Sequence, residues 1–591
     1  MKMIKKFIFL LIMTFIFIPG FVFAITPDVL IDNDEEGYTG TAVYDESAHT
    51  LTLNNYHGKS IVFATFDDTT DITLILKGAN VIDSQKEPDE LLEYEAGIVL
   101  GGAKNLNIKG SEGSSLTVNN YHTGILSYDG NININNATLA FNDIKSEGIT
   151  VLYAGDLNIT DTKITTNKTL WGMSARKDNV TFKHSTFLGY DGEDMISAYK
   201  KLSITDGSVV TGEKISLDLI HAYGDNDIVI DDSTISIKDS DGALIFIDNN
   251  DEEKGIVSIT NSTLTAKNIT NNVNDGGKDA SAVFYMNLLK NLNFENTTID
   301  IDNVINGFYS NTPNITFKDC TINMKGVYSA FEIMNYKGFD TSQVTFEGTK
   351  VNIDNSKTNR HLVYGFYVML KNFNIIESDI NINNNSSSEY SYPYEYFKDF
   401  YDSSAVLYEM AITAGEFLEE SLFTIKDSNI NISAIYTKDV ANKTPKTGVI
   451  DLFGQTEIDN SVIHINVDED GVAFGNAVIE GLIDFNLISM KGNIKVYNEG
   501  YELNEYCFSG LCAHAFGGEI DTTLPEDIDD EAEMIMYMIK TLPNKLDIDG
   551  SIKVTYAAND GTNKVIDKYT TGKVLLPLDL FEGTDKKKFL G

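Results

Sequence analysis

The sequence predicts an all-β protein whose body is a right-handed parallel β-helix of about 13–15 coils, each with three short strands. Three observations indicate this fold. A short phrase of alternating apolar residues recurs along the chain, a strand that begins with a small residue precedes many copies, and helical periodicity is absent throughout this stretch. A single compact core rarely accommodates 591 residues, whereas stacked repeats can.

The recurring phrase reads apolar, any, apolar, any, then Asn, Asp or Gly, usually Ser or Thr, any, apolar. It occurs at Ile132 to Leu139 and again at Leu157 to Ile164. Further copies begin at Leu202, Ile228, Val257, Leu292, Ile315, Val344, Phe373 and Phe423, and degenerate ones at Leu74, Leu106, Val180 and Thr456. Starts about 22 to 35 residues apart are typical of stacked solenoids.

Each phrase has a simple physical interpretation. Alternating apolar residues such as Ile228 and Ile230 make a half-buried strand. The next residue, as at Asp232, accepts a tight bend that a β-branched residue would resist. A second alternating strand follows, as in Ile235 to Ile237. We therefore expect two strands and one sharp turn per phrase.

A third strand precedes the phrase by about nine residues and often begins with a small residue. Members of this set are Gly97-Ile98, Gly124-Ile125, Gly148-Ile149, Ala282-Val283, Gly307-Phe308, Ala330-Phe331 and Gly365-Phe366. Three strands per period that all turn the same way describe one coil of a parallel β-helix.

The coil phrase resembles the pectate-lyase-like superfamily of right-handed β-helices. The opening of the chain is similar, more narrowly, to carbohydrate-binding β-helix surface proteins of Gram-positive bacteria. The residues that carry this likeness are Ala42 to Asp45, Thr50 to Tyr56, Ile72 to Gly78 and Asn80 to Ile82. The resemblance implies carbohydrate binding or adhesion at a cell surface.

The N-terminus predicts export. Lys2, Lys5 and Lys6 precede an apolar run from Phe7 to Ile18, and Val22 to Ala24 supplies small residues for a signal peptidase. We expect a signal peptide over residues 1–24, an N-terminal cap over 25–70 and the β-helix over 71–500. No later segment is long and apolar enough to span a membrane, so the expected location is extracellular, secreted or on the cell surface.

Beyond residue 500 the pattern changes twice. Residues 501–550 predict a helical connector that caps the repeats, with a helix from Asp529 to Lys540 that has acids in its first turn. Residues 551–591 resemble a small β-grasp-like module, the internalin-type B-repeat, on Val554 to Tyr556, Asn559 to Gly561 and Phe589 to Gly591. We expect this module to be truncated at Gly591.

The charge balance excludes some partners. With 87 acidic and 45 basic residues the formal net charge is −42, so the chain lacks the basic clusters that bind nucleic acid. Ca²⁺ is the one cofactor that the sequence leaves open, through acidic residues such as Asp161, Asp206 and Asp232. These positions also fit turns, where Asp is favoured for backbone reasons, and we assign no metal ligand.

The expected ligand site is an aromatic insertion between the copies at Phe373 and Phe423. It contains Tyr390, Tyr392, Tyr394, Tyr396 and Tyr401. Tyrosine rings stack on sugars, and loops on rigid scaffolds often carry binding residues. The same rings could instead cover apolar coil surface.

The cysteines predict no disulfide framework or zinc site. Cys320 lies inside a repeat, where it replaces a small stacked residue, whereas Cys507 and Cys512 are close enough to pair. His514 lies near them, but a fourth ligand at metal spacing is missing.

Catalysis is the alternative function. A polysaccharide lyase or glycoside hydrolase on this fold would need a base or a pair of carboxylates, and neither Arg176 nor Arg360 lies in a recognisable motif. His184 falls at a turn, and Trp171 aligns with the small-residue strand, where it packs. No catalytic residue is assigned. The favoured function is therefore non-catalytic binding of an extracellular glycan or host surface polymer, with a structural or protein-binding adhesin as a further alternative.

Overall fold

The computed structural model describes the greater part of the chain. The described residues are 24–26, 29–31, 39–64, 69–86, 92, 95–223, 227–248, 255–269, 282–335, 341–358, 362, 364–383, 412–414, 422–434, 448–452, 455–467, 472–476, 487–501, 545–558 and 563–575. They form an all-β parallel solenoid. The chain divides into two units, Met1–Asn249 and Asn250–Gly591.

Each coil contributes one strand to each of three parallel sheets, which we name sheets A, B and C. Sheet A holds the first strand of the phrase, sheet B the second and sheet C the strand that begins with a small residue. The strands β13 (Thr138–Ala154) and β15 (Lys163–Ala175) are long enough to pass from sheet B into sheet C.

In the first unit, sheet A consists of β6 (Asp71–Lys77), β9 (Asn105–Gly110), β12 (Asn131–Asn135), β14 (Leu157–Thr160), β16 (Val180–Lys183), β19 (Lys201–Thr205) and β22 (Asp227–Asp231). Sheet B consists of β7 (Ala79–Asp83), β10 (Ser115–Asn119), β13 (Thr138–Ala154), β15 (Lys163–Ala175), β17 (Thr186–Gly192), β20 (Val209–Ile215) and β23 (Thr234–Ser240). Sheet C consists of β5 (Ile61–Phe63), β8 (Ala96–Leu100), β11 (Thr123–Asp129), the ends of β13 and β15, β18 (Ile196–Ala198), β21 (Ile220–Tyr223) and β24 (Ile245–Asp248).

In the second unit, sheet A consists of β25 (Ile256–Thr260), β28 (Asn291–Glu295), β31 (Asn314–Lys318), β34 (Gln343–Glu347), β37 (Asn372–Ile376), β40 (Leu422–Lys426) and β43 (Gln455–Asp459). Sheet B consists of β26 (Thr263–Ile269), β29 (Thr298–Asp302), β32 (Thr321–Lys325), β35 (Lys350–Asp354), β38 (Asp379–Asn383), β41 (Asn429–Ala434) and β44 (Val462–Val467). Sheet C consists of β27 (Ala282–Asn287), β30 (Asn306–Ser310), β33 (Ser329–Met334), β36 (Tyr364–Met369), β39 (Ile412–Ala414), β42 (Gly448–Leu452) and β45 (Val472–Asn476).

The remaining strands lie near the two ends of the chain. They are β1 (Ala24–Thr26), β2 (Val29–Ile31), β3 (Thr39–Asp45), β4 (Thr50–Gly58), β46 (Leu487–Tyr501), β47 (Lys545–Ala558) and β48 (Asn563–Leu575). The pairs β1–β2, β3–β4 and β47–β48 are antiparallel. Sheets A and B each contain 14 of the described strands, in agreement with the predicted 13–15 coils.

The core follows from the alternation in the phrase. In β31, Ile315 and Phe317 are 0% exposed, and Thr316 between them is only half-buried. Register then stacks each inward residue on its equivalent in the next coil, so Phe294, Phe317 and Phe346 form a ladder with ring centroids 4.9 and 4.7 Å apart. Burying one such side chain contributes about 2–3 kcal/mol.

The turn between sheets A and B is left-handed in backbone conformation, as the phrase predicts. The residue after the first strand has a positive φ at Asn136, Asp161, His184, Asp206, Asp232, Asn261, Asn296, Asp319, Glu377, Asp427 and Asn460. Asn and Asp tolerate this region better than most residues. The conformation of the turn thus accounts for the acidic residues at Asp161, Asp206 and Asp232.

The next residue forms a buried hydroxyl ladder. In the second unit, the amide N–H of Thr349 donates to the Ser378 Oγ at 3.0 Å, and that of Ser378 donates to the Ser428 Oγ at 3.1 Å. Cys320 occupies this column and lies 2% exposed, which confirms its predicted role as a small stacked residue. Burial raises the pKa of its thiol to about 11.

Some predictions fall outside the described residues. The helix predicted within residues 501–550 lies there, as do the first 23 residues of the signal peptide predicted over 1–24 and the last residues of the C-terminal module, 576–591. The hand of the solenoid stays a prediction.

Within the described ranges, no helix is long and apolar enough to cross a membrane.

Candidate functional site

The outer face of sheet C in the first unit carries a row of polar residues. Backbone register aligns Thr150 with Ser174, Ser174 with Ser197, Ser197 with His221, and His221 with Phe246. Their neighbours along each strand point inward, and Ile220 and Ala222 on either side of His221 are 0% and 1% exposed. The inward position of these neighbours therefore directs the side chains of the row away from the core of the coil.

A second row lies where the strands of sheet C begin. Glu147 pairs with Trp171, and backbone hydrogen bonds continue the row to Asp194 and Asp218 in the following coils. The amide N–H of Gly172 donates to the Asp194 carbonyl at 2.9 Å, and that of Met195 donates to the Asp218 carbonyl at 3.0 Å. Three carboxylates and the single tryptophan of the chain thus occupy equivalent positions in four successive coils.

Asp194, Asp218 and His221 converge at one point, and we name them the Asp–Asp–His cluster. The His221 Nδ1 lies 3.0 Å from the Asp218 Oδ2 and 3.5 Å from the Asp194 Oδ1. The two carboxylates are buried, with 4% and 8% of each residue exposed, and the imidazole is half-buried. These three side chains offer ligand atoms that all lie within 4.8 Å of one another.

Backbone groups hold the two carboxylates of the cluster. The Asp218 amide N–H donates to the Asp194 Oδ1 at 3.2 Å, and the Ala243 amide N–H donates to the Asp218 Oδ1 at 3.0 Å. The His221 ring lies 4.8 Å from the Phe246 ring. Each functional side chain is therefore oriented by the coil that follows it.

An ion pair lies on the same sheet. The Arg176 guanidinium donates to the Glu147 Oε1, and the Ser146 hydroxyl donates to the Glu147 Oε2. The Glu147 side chain is 5% exposed, whereas that of Arg176 is 41% exposed. Tyr199 lies within electrostatic range of Arg176, Asp194 and Glu147, and burial raises the pKa of its hydroxyl.

The electrostatics of the cluster reflect burial and mutual contact. Burial raises the pKa of Asp218 above its ordinary value, against the hydrogen bond from His221 that lowers it. Burial alone would lower the pKa of His221, but its hydrogen bonds to Asp194 and Asp218 outweigh this and raise the pKa to about 9. The imidazole is thus cationic at neutral pH beside the two carboxylates.

Sheet C of the second unit has a different outer column, which we name the Tyr–Glu column. Register aligns Tyr285 with Tyr309, Tyr309 with Glu332, and Glu332 with Tyr367. The rings of Tyr285 and Tyr309 stack at 5.1 Å with planes 10° apart. Tyr285 is buried, whereas the other three residues are half-buried.

Glu332 is the single carboxyl group in this column. Burial raises its pKa from 4.5 to about 7. A carboxyl group in this state is about half protonated at neutral pH, so it can both donate and accept hydrogen bonds.

The structure places few of the predicted site residues. Tyr390, Tyr392, Tyr394, Tyr396 and Tyr401 lie outside the described residues, as do Arg360, Cys507, Cys512 and His514. His184 is the exposed turn residue that the phrase indicates, with φ of 48° and its Nδ1 2.6 Å from the Asp161 Oδ1. Trp171 lies in sheet C, half-buried beside Glu147.

Sequence reasoning missed the Asp–Asp–His cluster and Glu332. One signal was present: Asp194 and Asp218 both come just before a strand of sheet C and are 24 residues apart. Alignment of the small-residue strands, rather than of the phrase, would have brought these residues together.

Comparison with known proteins adds no relative: no protein-family model, no characterised protein and no solved structure matches this chain.

Proposed function

We propose that this chain is an exported, non-catalytic carbohydrate-binding β-solenoid that binds an extended neutral glycan along sheet C of its second unit. The observation that carries the proposal is the Tyr–Glu column, in which Glu332 interrupts a ladder of tyrosines. Aromatic rings beside a few convergent polar groups are the usual composition of a sugar site.

The spacing of the column suits a sugar ring. Strands in one sheet lie about 4.8 Å apart, so Tyr309 and Tyr367, which are two coils apart, are separated by about 10 Å. Glu332 is narrower than a tyrosine ring, so we expect its place in the ladder to leave a slot between the two rings. A pyranose that enters this slot would stack its C–H faces on tyrosine and direct its hydroxyls to the Glu332 carboxyl group.

Charge favours a neutral ligand. The formal net charge of −42 repels polyanionic sugars, whereas a neutral glycan has no such penalty. The raised pKa of Glu332 also lets this carboxyl group act as a hydrogen-bond donor to sugar oxygens near pH 7.

A glycan array followed by calorimetry tests the proposal. We expect wild-type protein to bind neutral β-linked or α-linked oligosaccharides, and we expect Tyr309→Ala and Tyr367→Ala each to weaken binding about tenfold, since one lost stacking contact is worth about 1.4 kcal/mol. Tyr190→Ala is the matched control, because Tyr190 is 36% exposed on sheet B of the first unit. Binding to no neutral glycan, or equal loss in the control, would contradict the proposal and favour a protein-binding adhesin.

Polysaccharide cleavage is a second candidate function, and the first unit supplies the observation that favours it. Glu147, Asp194, Asp218, His221 and Arg176 lie on one sheet, and carboxylate, imidazole and guanidinium groups are those that acid–base cleavage of a glycan uses. Incubation with neutral and acidic polysaccharides, followed by measurement of new reducing ends, tests it. Product formation that Asp218→Asn abolishes would establish the enzyme and replace the non-catalytic proposal.

Export is part of the proposal. Residues 1–24 have the charge and apolar pattern of a signal peptide. We expect N-terminal sequencing of protein from the culture medium or cell surface to begin at Ile25. Recovery of the intact N-terminus from the cytosol would contradict export.

A further inference from the structure

We propose that Asp194, Asp218 and His221 bind one divalent transition-metal ion of the Zn²⁺ type on sheet C of the first unit. This site does not include any residue of the Tyr–Glu column, and its test requires no carbohydrate.

The ligand separations match a tetrahedral metal. Two ligands of such an ion are about 1.6 bond lengths apart, which is about 3.3 Å for Zn–N and Zn–O bonds of about 2.0–2.1 Å. The two separations from the His221 Nδ1 are 3.0 Å to the Asp218 Oδ2 and 3.5 Å to the Asp194 Oδ1. All three ligand atoms lie within 4.8 Å of one another, so we expect an ion to draw them together into its coordination sphere.

The ligands are already oriented. One backbone N–H donates to each carboxylate, from Asp218 to Asp194 at 3.2 Å and from Ala243 to Asp218 at 3.0 Å. Phe246 packs at 4.8 Å from the imidazole. Contacts of this kind fix the orientation of metal ligands in known sites and strengthen metal binding.

Charge balance supports a cation. Two buried carboxylates face one imidazole, and the nearby Arg176 is paired with Glu147. Buried charges are costly unless they are compensated, and a divalent ion with a neutral imidazole would compensate both carboxylates in full.

The donor set selects the class of metal. Ca²⁺ and Mg²⁺ prefer oxygen ligands alone, whereas an imidazole with carboxylates is typical of zinc and its neighbours in the transition series. Three protein ligands leave a fourth position for water or another small ligand.

Metal titration of the full chain tests the site. After treatment with EDTA and dialysis, we expect calorimetry with ZnCl₂ to show one equivalent bound, and Co²⁺ to produce the strong visible absorption of a tetrahedral complex. We expect His221→Ala and Asp218→Asn each to weaken Zn²⁺ binding by about 100-fold or more. Absence of stoichiometric Zn²⁺ binding by the wild-type protein would overturn the proposal.

His184→Ala is the matched control. His184 and Asp161 also form a His–carboxylate contact, at 2.6 Å, but lie on an exposed turn with a single carboxylate. We expect this variant to bind Zn²⁺ like the wild type, and an equal loss would assign binding to surface histidines and overturn the proposal. If His221→Ala fails to fold by circular dichroism, Asp194→Asn serves in its place, and unchanged binding there would also overturn it.

Discussion

Sheet C differs sharply between the two units, although the same kind of strand builds it in both. In the first unit its outer positions are Thr150, Ser174, Ser197 and His221, with buried acids at the strand starts. In the second unit the corresponding positions hold Tyr285, Tyr309, Glu332 and Tyr367. Inward positions are apolar apart from a few buried hydroxyls such as Ser127 and Ser310. The difference shows that packing restricts the residue types on the inward face of the strand, whereas the residue types on the outward face vary between the units.

The largest expected effect is a loss of stability on substitution of an inward residue of sheet C in the second unit, compared with a residue of the Tyr–Glu column. Phe331 is 0% exposed and lies in the ring ladder between Phe308 and Phe366, at 5.0 and 4.7 Å. We expect Phe331→Ala to lower the free energy of unfolding by about 3–5 kcal/mol, because it opens a cavity in a packed core. Guanidinium denaturation measures this, with Tyr309→Ala as the outer-column control and an expected loss of about 1 kcal/mol or less. Equal losses would contradict the distinction between the two faces.

Glu332 should make the second unit sensitive to pH. Its pKa is about 7 in the folded state and 4.5 in the unfolded chain, so the folded protein binds more protons between these values. Stability from this group is therefore greatest below about pH 4.5 and falls as the pH rises to about 7, by at most about 3 kcal/mol.

Glu332→Gln removes this dependence without removing the side chain's volume. We expect unfolding of the variant and the wild type to differ little at pH 4.5, and the variant to be the more stable at pH 8 by about 2–3 kcal/mol. Parallel stability curves across this range would show that the carboxyl group is solvated as well in the folded state as in the unfolded chain.

Substitution of Arg176 in the first unit should lower the free energy of unfolding by a smaller amount. Removing it leaves the nearly buried Glu147 carboxylate without its cation, and the exposed half of the guanidinium limits the loss to about 2 kcal/mol. Chemical denaturation of Arg176→Ala measures this, and Arg176→Lys, which keeps the charge, should recover part of it. A loss in Arg176→Lys as large as in Arg176→Ala would show that charge is not what Glu147 requires.

The smallest change in stability is expected in the buried hydroxyl ladder that follows the turn between sheets A and B. Cys320 takes the place that Ser or Thr occupies in neighbouring coils, and its Sγ lies 3.2 Å from the Lys318 carbonyl oxygen. We expect Cys320→Ser to change stability by about 0.5 kcal/mol or less. Because the thiol is buried and its pKa is raised to about 11, peptide mapping should find Cys320 alkylated only after unfolding. Rapid alkylation of the folded protein would contradict its burial.

The fold was predictable because burial imposes a short period on the sequence. Ile228 and Ile230 point inward with a turn at Asp232, and both the strand and the left-handed φ of that turn residue follow from residue type and position. Cys320 was placed in its column for the same reason.

The candidate sites were not predictable in the same way. Asp218 and His221 are near in sequence, but Asp194 joins them only through the stacking of one coil on the next. The alternation of apolar residues specifies the inward positions but not the residue type at the outer ones, so Glu332 has no periodic signal among the tyrosines of its column. The predicted tyrosine insertion from Tyr390 to Tyr401 stays a prediction, because it lies outside the described residues.

The most direct test of the account compares the outer faces of sheet C in the two units for binding of one neutral oligosaccharide. Tyr309→Ala removes a ring of the Tyr–Glu column, and Tyr153→Ala removes a ring that is 47% exposed on sheet C of the first unit. Calorimetry should show binding about tenfold weaker in Tyr309→Ala and unchanged in Tyr153→Ala. Unchanged binding in Tyr309→Ala, or a loss confined to Tyr153→Ala, would contradict the assignment of the glycan to the second unit.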